Sequence, residues 1–407
     1  MGAYLNKPVT EKQKEEGAHD EFAYACTTMQ GWRASQEDAH NCVVDLHDGW
    51  HMFAVYDGHG GTEVSKFASE RLPDFLKERK FWESEDIGAT LQKAFVEFDD
   101  HIRQEDSMKR LKEFLDEGVD HHSEDDPQDE ADRIDTIQEA SMPFAELIKR
   151  KSPIQSDAKK SKSDDSAEEA EPSSSSPKDK ESETAADEED ESDQDFVADE
   201  DEQEDEEMEI DAGDLQNMVL GGAHGGEVPG EDSGTTACVV LVGNKQVVVA
   251  NAGDSRAILC RAGKAIDLSV DHKPEDDVET KRIHTAGGTI EDGRVNGGLN
   301  LSRAFGDHAY KKNHELELKD QMITAFPDVK IEQLTPEDEF LVVACDGIWN
   351  SMESQEVCDF VSKLLGEGKT CGEVCDALCH KCLAETTDGD GTGCDNMTVI
   401  CTRFKKI

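Results

Sequence analysis

Two stretches far apart in the chain share one design. His51–Gly61 reads HMFAVYDGHGG, and Glu339–Trp349 reads EFLVVACDGIW. Each opens as an apolar, strand-like run and then meets Asp-Gly, at Asp57-Gly58 and at Asp346-Gly347. A strand end is rigid and holds a carboxylate at a fixed place. The glycine after it permits a tight turn and close approach of backbone to a ligand. A third acid stands in DGDGTGCDNMTV, where Asp395 and Asn396 precede a last apolar run. Three aspartates at three strand edges can converge on one point, and an all-oxygen set suits a hard divalent ion such as Mg2+ or Mn2+. No His-rich or Cys-rich set competes for the role, which argues against a zinc hydrolase. Any single Asp-Gly does no more than make a turn. Two at apolar strand ends, with Asp395, leave turn-making and metal binding evenly matched.

The stretch MQGWRASQEDAHN, Met29–Asn41, adds other parts. Arg33 is suited to clamp a phosphate with two parallel hydrogen bonds. Glu37 and Asp38 follow it and could hold metal-bound water. On its own, an Arg four residues before a Glu is a surface ion pair; beside a carboxylate cluster it becomes a recognition pair.

Composition sets the frame. The formal net charge is −52, which excludes the basic footprint of a nucleic-acid-binding surface and favours basic partners. Apolar residues make up 35%, low for a chain that is globular throughout. No apolar run reaches the roughly 18 residues of a membrane span, and the start carries no signal-peptide pattern. Twelve scattered cysteines without a secreted framework read as reduced thiols of an intracellular, non-secreted protein.

The charge is uneven, and this places the domains. Asp116–Asp214 is polar, Ser-rich and acidic, with a net charge of roughly −30, and cannot bury enough apolar surface to fold. A Gly-rich hinge, Gly221–Asp232, follows. The division expected is an N-terminal segment, 1–21; the first part of one catalytic domain, 22–115; an acidic, low-complexity, disordered insert with its hinge, 116–229; and the second part, 230–407. The insert reads as a solvated linker, or as a tether for basic proteins. Five apolar residues punctuate the acid run (Phe196, Val197, Met208, Ile210 and Leu215), which a pure spacer does not need.

Either side of the insert, the patterns are those of folded elements. FAYACTTMQGW is strand-like, and VSKFASERLPDFLKER and IGATLQKAFVEFDDHIRQ have helical spacing. TTACVVLV and QVVVANAG, joined by GNK, form a hairpin, and SRAILCRAG with KAIDLS forms the next. PEDDVETKRIHTAGG is a helix stopped by Gly287 and Gly288. FLVVACD is a strand, ESQEVCDFVSKLL and CGEVCDALCHKCLAE are helices, and NMTVICTRF closes the chain as a strand. This order argues for an α+β fold with antiparallel sheets.

The motifs GWRASQEDAH, YDGHGG, EDSGTTA, NAGDSRAIL, DHKPEDDVETKRIHTAGG, RVNGGLNLSRAFGDHAYK, ACDGIWN and GCDNMTVI, in this order from about Phe22 to Phe404, resemble the PPM family of metal-dependent protein phosphatases, also called protein phosphatase 2C. Within it, the acidic insert and the DGIWN and DGDGTGCDNMT stretches are most similar to the gamma type of animals. The resemblance implies a central sandwich of two antiparallel β-sheets flanked by helices, with two Mg2+ or Mn2+ ions in a cleft at one end. It implies that Asp57 bridges the metals, that the Gly58 carbonyl binds one, and that Asp346 and Asp395 bind the other. Glu37 and Asp38 would act through water, Arg33 would hold the phosphate and His59 would protonate the leaving hydroxyl. The reaction implied is hydrolysis of phosphoserine and phosphothreonine by a metal-bridging hydroxide.

Two departures from the family stand out. Many relatives have Asp-x-Ser-Gly, whose Asp helps bind a weak third metal; here Glu231 holds that position with Asp232 beside it. Many have DGIWD, where Asn350 stands here.

Further expectations are weaker. The stripe Cys371, Cys375, Cys379 and Cys382 on one helix reads as packing rather than a metal site. Gly2 is a candidate for myristoylation, with Asn6 where Ser or Thr is preferred. Short basic clusters at Lys149–Lys151 and Lys159–Lys162 fit nuclear import, so nucleus and cytoplasm are both expected compartments. The expected partners are phosphoproteins, basic ones such as histones or RNA-processing proteins by resemblance, with no nucleic acid, no transmembrane segment and a monomeric state. Two alternatives stay open: an acidic, histone-chaperone-like binding protein on a phosphatase fold, which the complete Asp57, Asp346, Asp395 and Arg33 set opposes as a sole role, and a two-metal nuclease, which the charge opposes.

Overall fold

The computed structural model describes residues 4–119 and 228–405. The acidic insert and most of its hinge lie outside them. The described parts belong to one compact unit built from both sides of the insert.

Two antiparallel sheets face each other. The first has six strands in the order β1 (Tyr4–Ala18), β2 (Phe22–Arg33), β16 (Met397–Phe404), β15 (Asp338–Ala344), β9 (Arg256–Arg261) and β10 (Lys264–Asp267). The second has five: β14 (Asp328–Gln333), β8 (Gln246–Ala252), β7 (Ala237–Gly243), β4 (Trp50–Tyr56) and β3 (Ala39–His47). Alternation along each strand builds the layers, because successive side chains point to opposite faces. In β4, Phe53 and Val55 enter the core between the sheets, where Leu341 and Val343 of β15 also lie. Met52, Ala54 and Tyr56 face the other way, onto helices α1 (Glu63–Glu78), α2 (Ile87–Ile102) and α3 (Glu105–Val119). On the far side of the six-stranded sheet, Phe340 and Val342 of β15 pack with α6 (Ser354–Gly366) and α7 (Cys371–Cys382). The result is the expected sandwich of two antiparallel sheets between helices.

Smaller pieces are a three-stranded sheet of β13 (Phe305–Gly306), β6 (Gly234–Thr235) and β5 (Gly58–His59), a hairpin of β11 (Ile290–Glu291) with β12 (Arg294–Val295), and helices α4 (Asp277–Thr285) and α5 (Asp346–Trp349).

The stripe of α7 cysteines is packing, as expected. All four are buried, and the Cys371 and Cys375 thiols each lie 3.5 Å from a backbone oxygen of β2, at Ala23 and Ala25. The expected hairpins and helices are all present. Two boundaries differ from the sequence reading. Tyr4–Ala18, assigned to a segment outside the domain, is the edge strand of the six-stranded sheet, paired with β2 from Tyr4↔Arg33 and in constant register from Lys12↔Met29 to Ala18↔Ala23. The helix α3 carries the first folded part to Val119, past the expected limit at 115.

Candidate active site

Each acid of interest sits where a strand of the sandwich ends. Asp57 follows β4, and its backbone is locked to Thr236 in both directions: the Asp57 amide donates to the Thr236 hydroxyl at 3.2 Å, and the Thr236 amide donates to the Asp57 carbonyl at 2.9 Å. Asp346 opens α5 one residue past Cys345, directly beyond β15. Asp395 comes two residues before β16, and Glu37 and Asp38 lie between β2 and β3.

Both Asp-Gly pairs have a packing cause. A Cβ at Gly58 would collide with the carbonyl oxygen of Glu37, and a Cβ at Gly347 with the carbonyl oxygen of Asn396. Each glycine therefore lets an acid-bearing turn press against a segment that carries other acids, Glu37-Asp38 in one case and Asp395-Asn396 in the other. Asn396 staples these segments together. Its Oδ1 accepts from the Glu37 amide at 2.9 Å, and its Nδ2 donates to Gln30 and Ser35 carbonyls at 2.8 and 2.9 Å.

The outcome is a carboxylate cluster. One ligand atom each from Asp57, Asp254 and Asp346 lie within 4.8 Å of one another, and the same holds for Asp38, Asp57 and Cys345. Asp57 belongs to both groups. Burial, then the charges of Asp346, Asp38, Asp395 and Asp254, pushes the Asp57 carboxyl well above its ordinary range. Burial together with Asp254 and Asp395 raises Asp346 to about 8, although Lys273 and Asn350 pull it down. Burial raises Asp38 to about 7 against the hydrogen bond from Thr398, which reaches its Oδ2 at 2.6 Å. The other oxygen, Asp38 Oδ1, is buried without a partner. Burial, with the charges of Asp38, Asp57 and Asp346, also holds the Cys345 thiol well above its ordinary value. Carboxylates that repel each other in a shielded place, one with an orphaned oxygen, fit a hard divalent cation.

Asp254 was missed in the sequence. It lies in the loop between β8 and β9, is 2% exposed, and is ion-paired with Lys273. The signal was present in NAGDS, where a strand ends in Gly-Asp rather than Asp-Gly. Asn350 donates to Asp346 Oδ2 at 2.9 Å, so it holds that carboxylate with a neutral group. Glu37 reaches neither group; its Oε1 accepts from the Ser35 hydroxyl at 2.9 Å. Glu231 and Asp232 also stand apart from the cluster, Glu231 in an ion pair with Lys312 and Asp232 exposed.

Arg33, at the end of β2, donates from Nη2 to Asp395 Oδ2 at 2.6 Å, while its Nε is buried without a partner. His59, in β5, places Nε2 2.8 Å from Asp307 Oδ2. Burial lowers the His59 pKa, but the charge and hydrogen bond of Asp307 outweigh it, and the net shift is upward.

The sequence profile described as Protein phosphatase 2C matches residues 22–122 and 149–391. The chain belongs to that family, and is a protein serine/threonine phosphatase. It is 60% identical to the Caenorhabditis elegans protein phosphatase ppm-1.G, over 100% of this chain and 99% of that one. It is 38% identical to human protein phosphatase 1G, over 100% and 93% of the two chains. In fold it resembles the crystal structure of a phosphatase from a pathogenic strain of Toxoplasma gondii, with a TM-score of 0.58 at 19% identity, covering 98% of this chain and 96% of that one.

Proposed function

We propose that Asp57, Asp346 and Asp395, with the Gly58 carbonyl, hold two divalent cations, Mg2+ or Mn2+, and that Glu37 and Asp38 act through bound water. The observation that carries this is the shared position of Asp57 in both acidic groups. The ions, when bound, supply Lewis acidity and make water nucleophilic near neutral pH. The residues do the rest. Arg33 clamps the phosphate of a phosphoserine or phosphothreonine, using donors that Asp395 does not occupy. The cluster, with Arg33, fixes the direction from which water meets phosphorus. His59 gives a proton to the departing side-chain oxygen. Glu231 being held by Lys312 argues against a strong third ion there.

The substrates favoured are basic phosphoproteins. An insert with a net charge of roughly −30 attracts cationic partners by electrostatics, and its attachment raises their concentration near the cleft. Nucleus and cytoplasm are the compartments that fit such substrates and the reduced cysteines.

The test is hydrolysis of a phosphothreonine peptide in chelator and after adding Mn2+ or Mg2+. Activity should vanish in chelator and return with metal. Full activity in chelator would sink the two-ion reading.

A further inference from the structure

We infer that Asp307 is a positioning residue for His59: it grips the ring at Nε2 and so makes Nδ1 the nitrogen that protonates the leaving oxygen. This rests on the reading of His59 as the proton donor.

Three observations carry the inference. The first is the accounting of hydrogens. His59 Nε2 lies 2.9 and 2.8 Å from the two oxygens of Asp307. A carboxylate only accepts, so Nε2 carries a hydrogen and is committed to this contact. The other nitrogen, Nδ1, is buried and has no partner. A buried ring nitrogen without a partner is unfavourable until one arrives, and a substrate oxygen beside the acids supplies one.

The second observation is that the fold is built around this pair. His59 and Gly306 both lie in register with Gly234, from opposite sides of the three-stranded sheet. A Cβ on Gly234 would strike both the Asp307 carboxylate and His59 Nε2. One missing side chain thus makes the room in which the two residues meet.

The third is the cost accepted at Asp307 itself. Its φ is +50°, in the left-handed region that a residue with a Cβ seldom adopts. The backbone is held there by the Asp307 amide, which donates to the Ser233 carbonyl at 2.9 Å. The Asp307 side chain is 2% exposed, and His59 is its sole hydrogen-bond partner among the described residues. A strained backbone and a buried carboxylate are spent on orienting one imidazole.

The step balances as follows. A water oxygen bonds to phosphorus, and the bond from phosphorus to the serine or threonine oxygen breaks with its electron pair going to that oxygen. The ring enters as the imidazolium, its Nδ1 proton moves to the same oxygen, and the hydrogens of the water stay with the phosphate. The ring is left neutral, with its Nε2 hydrogen still on Asp307.

The experiment compares Asp307→Asn, His59→Gln and the double variant on two substrates, a phosphothreonine peptide and an activated aryl phosphate whose leaving group needs no proton. The readout is the ratio of the two kcat values on one preparation, which does not depend on how much of the variant is folded. Asp307→Asn should lower kcat for the peptide by about 10-fold or more, leave its KM within about 2-fold, and spare the aryl phosphate. The double variant should match His59→Gln, because Asp307 acts only through that ring. If His59→Gln shifts the ratio and Asp307→Asn does not, or if Asp307→Asn still shifts it in the His59→Gln background, the inference about Asp307 is overturned. If His59→Gln leaves the ratio unchanged, the reading of His59 as donor fails and the inference falls with it.

Discussion

Arg33 and Asp395 join the ends of two neighbouring strands, with Nη2 of the one 2.6 Å from Oδ2 of the other. β2 and β16 run in register from Met29↔Met397, so the pair closes the sheet at its acid-bearing end. The aspartate steadies the guanidinium while Nε is left without a partner. Replacing Arg33 with Ala should therefore raise KM for a phosphopeptide more than it lowers kcat. Loss of a charge-assisted hydrogen bond is worth about 1.5–3 kcal/mol, or roughly 10- to 100-fold in kcat/KM. Steady-state kinetics that show an unchanged KM with a fallen kcat would remove Arg33 from phosphate binding.

The cluster makes a graded prediction about metal affinity. Asp57 stands in both acidic groups, and Asp254 stands in one and is already ion-paired with Lys273. Calorimetric titration with Mn2+ should show Asp57→Asn abolishing tight binding and Asp254→Asn weakening it by a smaller factor. Equal losses would place Asp254 on a level with Asp57, and no loss from Asp57→Asn would empty the proposed site.

Acid should loosen the part of the domain around α4. Glu279, 2% exposed, accepts from Arg303 at 2.7 Å and from the Ser302 hydroxyl at 2.7 Å, and pairs with Arg282 at 2.7 Å. Burial works against its charge, but these partners hold the Glu279 pKa down from 4.5 to about 2. A depressed carboxylate stabilises the fold fully above its unfolded value and loses that contribution as pH falls from about 4.5 through 2. The amount at neutral pH is about 3 kcal/mol. Glu279→Gln should lower the denaturation midpoint clearly at pH 7 and by about half as much near pH 3. A cost that does not shrink with acid would assign it to packing.

The insert is best probed by deletion from 120, since α3 runs to Val119. Removing 120–225 should leave hydrolysis of a small phosphopeptide nearly unchanged. It should slow dephosphorylation of a phosphorylated histone at low salt, and the gap should close as salt rises and screens the polyanion. Loss of peptide hydrolysis would make the insert part of the fold; equal rates on the histone would make it a passive spacer.

What could be read beforehand follows from how strongly burial marks each element. β4 and β15 are almost wholly buried, and their apolar runs announced them. β1 has no fully buried residue and a sequence of lysines and glutamates, so nothing in YLNKPVTEKQKEEGA signalled an edge strand. The apolar spacing of α3, at Met108, Leu111 and Phe114, was there to be read, but the acidic stretch beyond it drew the boundary too early. Asp57, Asp346 and Asp395 stood out as acids beside apolar runs, and Arg33, Glu37 and Asp38 as charged neighbours in one short stretch. Asp254 and Asp307 follow a glycine instead of preceding one, and their roles depend on partners 19 and 248 positions away, at Lys273 and His59. Local pattern shows the acids at their Gly-Asp turns but not which distant residues they meet.

The collisions that a Cβ would cause at Gly58 and Gly347 have an implication for how this enzyme tolerates change. At both places the obstacle is a main-chain oxygen, which cannot rotate aside as a side chain can. The spacing between the acids is thus set by atoms that are missing. A saturation scan should find these two positions as intolerant as the carboxylates themselves, including to alanine. A homologue that kept every acid but carried a methyl group at either place would look intact by its chemistry and would have lost the geometry that makes it an enzyme.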